Sequence, residues 1–134
     1  MIDFRSALQA GLESARKIDL NKKNIEQKLQ AISSMLLDGT SGKVALVFDR
    51  NESHTAALMG DRVDIIYAVS QVDKRKGSKI GTLIRDSENG FPVVLEVEAS
   101  KFVCGTVDEI EQAFSEVVQL GSVANTIFSL IAGE

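Results

Sequence analysis

From Phe91 to Val97 the chain alternates Phe91, Val93, Leu95 and Val97 with Pro92, Val94 and Glu96, and Glu98 extends the second row. A period of two sends successive side chains to opposite faces of a strand, so one row belongs in a core. Ser87-Glu88-Asn89-Gly90 comes just before. Asn and Gly tolerate the positive φ of tight turns, which makes the strand the returning arm of a hairpin. Downstream, Thr106 and Glu109 have the T-x-x-E spacing of a capping box, in which each side chain satisfies an orphan backbone N–H at a helix start. A hairpin strand followed by a capped helix calls for a sheet with helices packed against it.

The segments upstream supply the rest. Phe4, Leu8, Leu12 and Ala15 recur at spacings of four, four and three, the stripe of an amphipathic helix. Asp19-Leu20-Asn21 reads as a break and an N-cap, after which Ile25, Leu29, Ile32 and Leu36 repeat the stripe until Gly39. The expectation is an N-terminal helical hairpin whose joint apolar face is covered by the next segment. Val44, Leu46 and Phe48 alternate as a strand. Ser53 to Met59 fits a strand or a short helix, and the alternation of His54, Ala56 and Leu58 favours the strand. Val63 to Val69 carries apolar side chains in both rows, as a central strand does when both faces are covered or when one face is used for association. Ile80 to Arg85 returns as a further strand beyond the basic loop Lys74–Lys79. Val107, Ile110, Phe114 and Val117 form the buried stripe of a C-terminal helix, and Ser122 opens a short terminal one anchored by Val123, Ile127 and Leu130.

No long crossover separates successive strands, so they are antiparallel and the fold class is α+β, with a sheet of four to five strands. A chain of 134 residues buries one core without disulfides, and residues 1–134 are read as a single domain. No apolar run reaches bilayer length and the N-terminus lacks an export signal. With one cysteine, Cys104, the expected compartment is the cytoplasm and no membrane is involved.

The residues that carry chemistry are sparse. His54 is the only histidine, and no C-x-x-C or H-x-x-x-H spacing is present, so neither metal nor cofactor is expected. His54 and Cys104 permit a base and nucleophile pair, the basis of an alternative reading as a small enzyme. Asp38-Gly39-Thr40-Ser41-Gly42-Lys43 precedes a strand, whereas a phosphate loop needs its amides at a helix N-terminus. An isoelectric point near 5.1 and the lack of stacking aromatics around Lys74–Lys79 argue against nucleic acid.

Charge is the one global asymmetry. From Gly81 onward two cations, Arg85 and Lys101, face nine carboxylates, a net of −7, while the whole chain carries −4. The first 80 residues therefore carry +3. Glu96, Glu98, Asp108, Glu111 and Glu116 are the candidate partner-binding residues of an acidic surface, and Glu96 and Glu98, two apart on a strand, share a face. Such a field steers a basic protein into contact. The function expected on these grounds is a non-enzymatic, protein-binding module, in its sharpest form an immunity or inhibitor protein that neutralises a basic toxin nuclease. The alternative is a structural or chaperone-like assembly module, a homo-oligomer that self-associates through its sheet.

Overall fold

The structure, a computed structural model, describes residues 3–133. The elements in chain order are α1 (Phe4–Gly39), β1 (Val44–Arg50), α2 (Thr55–Leu58), β2 (Arg62–Ser70), β3 (Gly77–Asp86), β4 (Gly90–Val97), β5 (Ser100–Cys104), α3 (Val107–Val117) and α4 (Gly121–Ala132). The fold is α+β, as the sequence implies, with five antiparallel strands in the order β1-β2-β3-β4-β5. Every connection joins neighbours, so the sheet is a simple meander.

One face of the sheet builds the core. Val44, Ile66, Ala68, Leu83, Val93, Leu95 and Val97 meet Ile25, Leu29 and Ile32 of α1, Ile110, Phe114 and Val117 of α3, and Val123 and Leu130 of α4. Phe48 touches Phe114 edge to face, with ring centroids 6.4 Å apart. In the opposite row Val47, Ile65, Tyr67, Val69, Ile84, Val94 and Val103 are half-buried or exposed, while Val63 and Thr82 are buried. Register pairs Val47 with Tyr67, and Ile84 with Val94. The register of β2 and β3 shifts at Ile66/Tyr67, and Gly81, opposite Ile66, lies close against β4, where a Cβ would run into the Glu96 carbonyl oxygen and Val97 Cγ2.

Local chemistry explains the element boundaries. Asp3 caps α1, its Oδ1 accepting from Arg5 N at 3.0 Å and its Oδ2 from the Ser6 hydroxyl at 2.7 Å. At the other end the Thr40 hydroxyl donates to the Leu36 carbonyl at 2.9 Å and accepts from Val44 N at 3.0 Å, tying the helix end to the first strand. The turn before β4 forms as its residues require: Gly90 takes φ +87°, and Asp86 Oδ1 accepts from Glu88 N and Asn89 N. At α3 Thr106 Oγ1 accepts from Glu109 N at 3.2 Å, and the Glu109 carboxylate reaches back to Gly105 N at 3.0 Å.

Three expectations are corrected. The N-terminal helical hairpin is a single helix of 36 residues. Asp19-Leu20-Asn21 contains no proline, and Asp19 sits four residues ahead of Lys23 in an ion pair of 2.9 Å that supports helix continuity. The strand expected over Ser53–Met59 gives way to α2, capped by His54, whose Nδ1 accepts from Ala56 N at 3.0 Å. Asn51 prepares the reversal by accepting from Ser53 N at 3.1 Å. Lastly, the stripe Phe4, Leu8, Leu12 is not covered by the following segment. These side chains keep 76%, 50% and 48% of their surface exposed, while burial along α1 begins in earnest at Ile25.

Candidate interaction surface

α1 is about 54 Å long at a rise of about 1.5 Å per residue. Only its second half lies on the sheet. The first four turns stand off the body as an arm, with Phe4, Leu8 and Leu12 along one side and Arg5, Arg16 and Lys17 among the residues of its surface. Between Phe4 and Lys17 the single carboxylate is Glu13, so the arm is basic as well as amphipathic.

Where α1 ends, a groove of about 620 Å³ opens between it, α3 and α4. Ile32, Met35 and Leu36 form one wall, Phe114, Val117 and Val118 another, and Val123, Ile127 and Phe128 the third, over a floor that includes Leu46 and Ile80. The sequence creates it by a short link: α3 stops at Val117 and α4 starts at Gly121, bent by 76° from α3, so the two helices splay instead of closing on α1. Phe128 and Met35 remain largely exposed at its rim. The Thr40 hydroxyl is committed to backbone groups, which leaves Glu111 as the charged lining residue.

The five carboxylates expected to form one patch are dispersed. Asp108, Glu111 and Glu116 lie on α3, as does the capping Glu109. Glu111 is 3.6 Å from Lys28 Nζ. Glu96 sits on the outer row of the sheet, across from Lys101 in register. Glu98 is beyond the end of β4, at φ +55° in the two-residue turn to β5, and accepts a hydrogen bond from the Ser122 hydroxyl. Glu96 and Glu98 therefore do not share a strand face, because the strand ends between them. What survives of the acidic surface belongs to α3, which carries four carboxylates and no cation.

His54 and Cys104 do not meet. His54 lies in the connection between β1 and β2, Cys104 at the end of β5, and β2 and β5 are three strand spacings apart, about 14 Å. Cys104 is buried, and burial first, then the Glu109 charge, pushes its thiol above the ordinary value, away from nucleophilic use.

Not foreseen from the sequence is a partly buried ion network under α1, in which Arg85 and Asp64 are enclosed and Arg62 and Glu26 half-exposed. Arg85 Nη2 donates to Asp64 Oδ2 at 2.8 Å and its Nη1 to Glu26 Oε1, while Arg62 lies 3.4 Å from Asp64 and 3.6 Å from Glu26. Arg62 and Arg85 are cross-strand neighbours, a like-charge pair that the two carboxylates offset. The signal available was an Asp in an otherwise apolar central strand, a residue type seldom fully buried without a partner. Comparison of the chain with protein-family models, with curated proteins and with solved structures finds no match. Among the described residues no single helix is long and apolar enough to cross a membrane.

Proposed function

We propose that this protein is a non-catalytic binding module whose groove between α1, α3 and α4 receives a basic amphipathic helix. The observation that carries the reading is the groove itself, about 620 Å³ of apolar wall beside a helix bearing four carboxylates and no cation. Helix-in-groove recognition uses an apolar stripe for affinity and flanking charge for orientation and capture rate. The acidic partner surface read from the sequence is narrowed in this proposal to α3, whose four carboxylates support it. Inhibition of a basic nuclease would be one use of such a surface; with Glu96 on the outer row of the sheet and paired in register with Lys101, the charge supports a helix-binding groove more than a phosphate mimic.

A designed helix built only of Leu and Lys is the probe. Titrated into protein dilute enough to be monomeric and followed by fluorescence anisotropy, it should bind, lose at least tenfold in affinity on Phe128→Asp, and lose less on Glu111→Gln. Equal binding to the wild type and to Phe128→Asp would remove the groove as the site.

A further inference from the structure

We infer that the helix received by this groove is the projecting half of α1 from a second copy of the chain, so that two chains pair reciprocally. The inference rests on the reading of the groove given above and names its occupant. The arm has the chemistry the groove calls for. It is already helical, exposes Phe4, Leu8 and Leu12 along one side, and carries Arg5, Arg16 and Lys17 against Glu13 alone. On the receiving side α3 carries four carboxylates, of which Glu111 lines the groove 3.6 Å from Lys28 Nζ, and Lys76 Nζ donates to the Gly133 carbonyl at the end of α4. Matching apolar surface is thus present on one molecule without a partner inside it, and charge of opposite sign lies beside each part, with Glu111 already 3.6 Å from Lys28 Nζ.

The chain cannot satisfy itself. Ile32, Met35 and Leu36 of α1 form a wall of the groove, and the arm belongs to the same unbroken helix. From Leu8 to Met35 is 27 residues of continuous helix, about 40 Å at about 1.5 Å per residue, so the arm points away from the groove it fits. Only another molecule can bring the two together.

Length also sets the arrangement. With the α1 helices of two copies antiparallel, Phe4 of one comes level with Gly39 of the other, Leu8 with Met35 and Leu12 with the turn holding Ile32. The arm's apolar residues are spaced by four, and the wall residues Ile32, Met35, Leu36 and Gly39 recur at three and four, so ridge and groove share a repeat. The arrangement is two-fold, and each chain both gives an arm and takes one. Both surfaces are then used up and the assembly closes as a dimer, where one-way insertion would run on into a filament. Because arm and groove exist before contact, association orders little chain.

Sedimentation velocity on the full chain tests this, across roughly 1–100 µM, the range where micromolar affinities are resolved. Wild type is expected as a dimer, with twice the 14.5 kDa chain mass. Phe4→Gln/Leu8→Gln keeps helix-forming side chains at positions that touch little, and Phe128→Asp changes an exposed groove residue; each should be a folded monomer by circular dichroism. Mixed in equal amounts, the two variants should regain a heterodimer, since the arm of one still fits the groove of the other. A wild type that stays monomeric overturns the inference, and so does a dimer indifferent to both variants, which would move association to the outer face of the sheet. The Leu/Lys helix separates the two proposals. If it binds the arm variant while the wild type is monomeric, the groove reading stands and the second copy is wrong; if it fails to bind the arm variant, both fall.

Discussion

Single residues decide stability most sharply where charge is buried. Arg85 and Asp64 are almost wholly enclosed, and Asp64 Oδ1 and the Nε atoms of Arg62 and Arg85 have no hydrogen-bond partner. A network so tightly shared gains little over apolar packing, yet removing one member strands the others. Arg85→Met should therefore lower the unfolding free energy by about 3–5 kcal/mol in urea titration, and Arg85→Met/Asp64→Leu should recover much of that loss. If the double variant is no better than the single one, Asp64 is not what Arg85 neutralises. A second residue-scale effect is acid sensitivity. Asp86 is held below the usual carboxylate range by the Asn89 and Glu88 backbone N–H groups, Asp73 by the Arg75 side chain, and Asp3 by the Ser6 hydroxyl. A carboxyl with a depressed native pKa contributes stability above its unfolded value, and that contribution disappears as pH falls through the native one. Stability should thus decline as pH drops below about 4, the ordinary aspartate value. Asp86→Asn should flatten the decline, while equal slopes for variant and wild type would count against the turn as a source.

At the scale of elements, the arm of α1 is a helix held by its Asp3 cap and its own backbone bonds, with little packing beneath it. Isolated helical segments of this length are marginal in water, so in the monomer its amides should exchange faster than those near Ile25. Gly11 lies in the arm, and a Cβ there would meet nothing within 4 Å. Gly11→Ala should stabilise the arm by about 0.5–1 kcal/mol, visible as slower hydrogen exchange between Phe4 and Lys17, with core exchange unchanged. No slowing would mean the arm is already held by something other than its own propensity. The same contrast explains what could be read from the chain. Strand β4 was legible because Phe91, Val93, Leu95 and Val97 alternate against one packed face, and α3 because Thr106 and Glu109 cap it locally. The arm's stripe was legible as a stripe but not as uncovered, since periodicity reports which side chains share a face and says nothing about what lies opposite. The supposed break at Asp19-Leu20-Asn21 failed because modest helix propensity is easily overridden by neighbouring turns and an ion pair. Asp64 and Arg85, 21 residues apart, could be matched only once the register of β2 and β3 was known.

The whole molecule is polarised in a way no single element reveals. Residues before Gly81 carry +3 and those after it −7, and the fold places the basic arm at one end of α1 and the acidic α3 beside the other. The candidate carboxylates were identified from this asymmetry, but the fold divided them, because β4 ends at Val97 and turns Glu98 away from Glu96. Polarity along the molecule bears on how fast two copies meet more than on how long they stay. Opposite charges facing each other steer diffusional approach, and the Debye length falls from about 10 Å at 0.1 M salt to about 3 Å at 1 M, so the steering is lost first. In the proposed dimer the apolar contacts of Phe4, Leu8 and Phe128 would set dissociation and respond weakly to salt. Stopped-flow mixing of differently labelled chains should then show the association rate falling by roughly tenfold or more between 0.02 and 0.5 M salt, with dissociation changing by less than about threefold. Arg16→Glu/Lys17→Glu should reproduce much of the high-salt behaviour at low salt, without altering the far-ultraviolet circular dichroism. An association rate insensitive to both salt and this charge reversal would mean that the arm and α3 do not face one another during encounter.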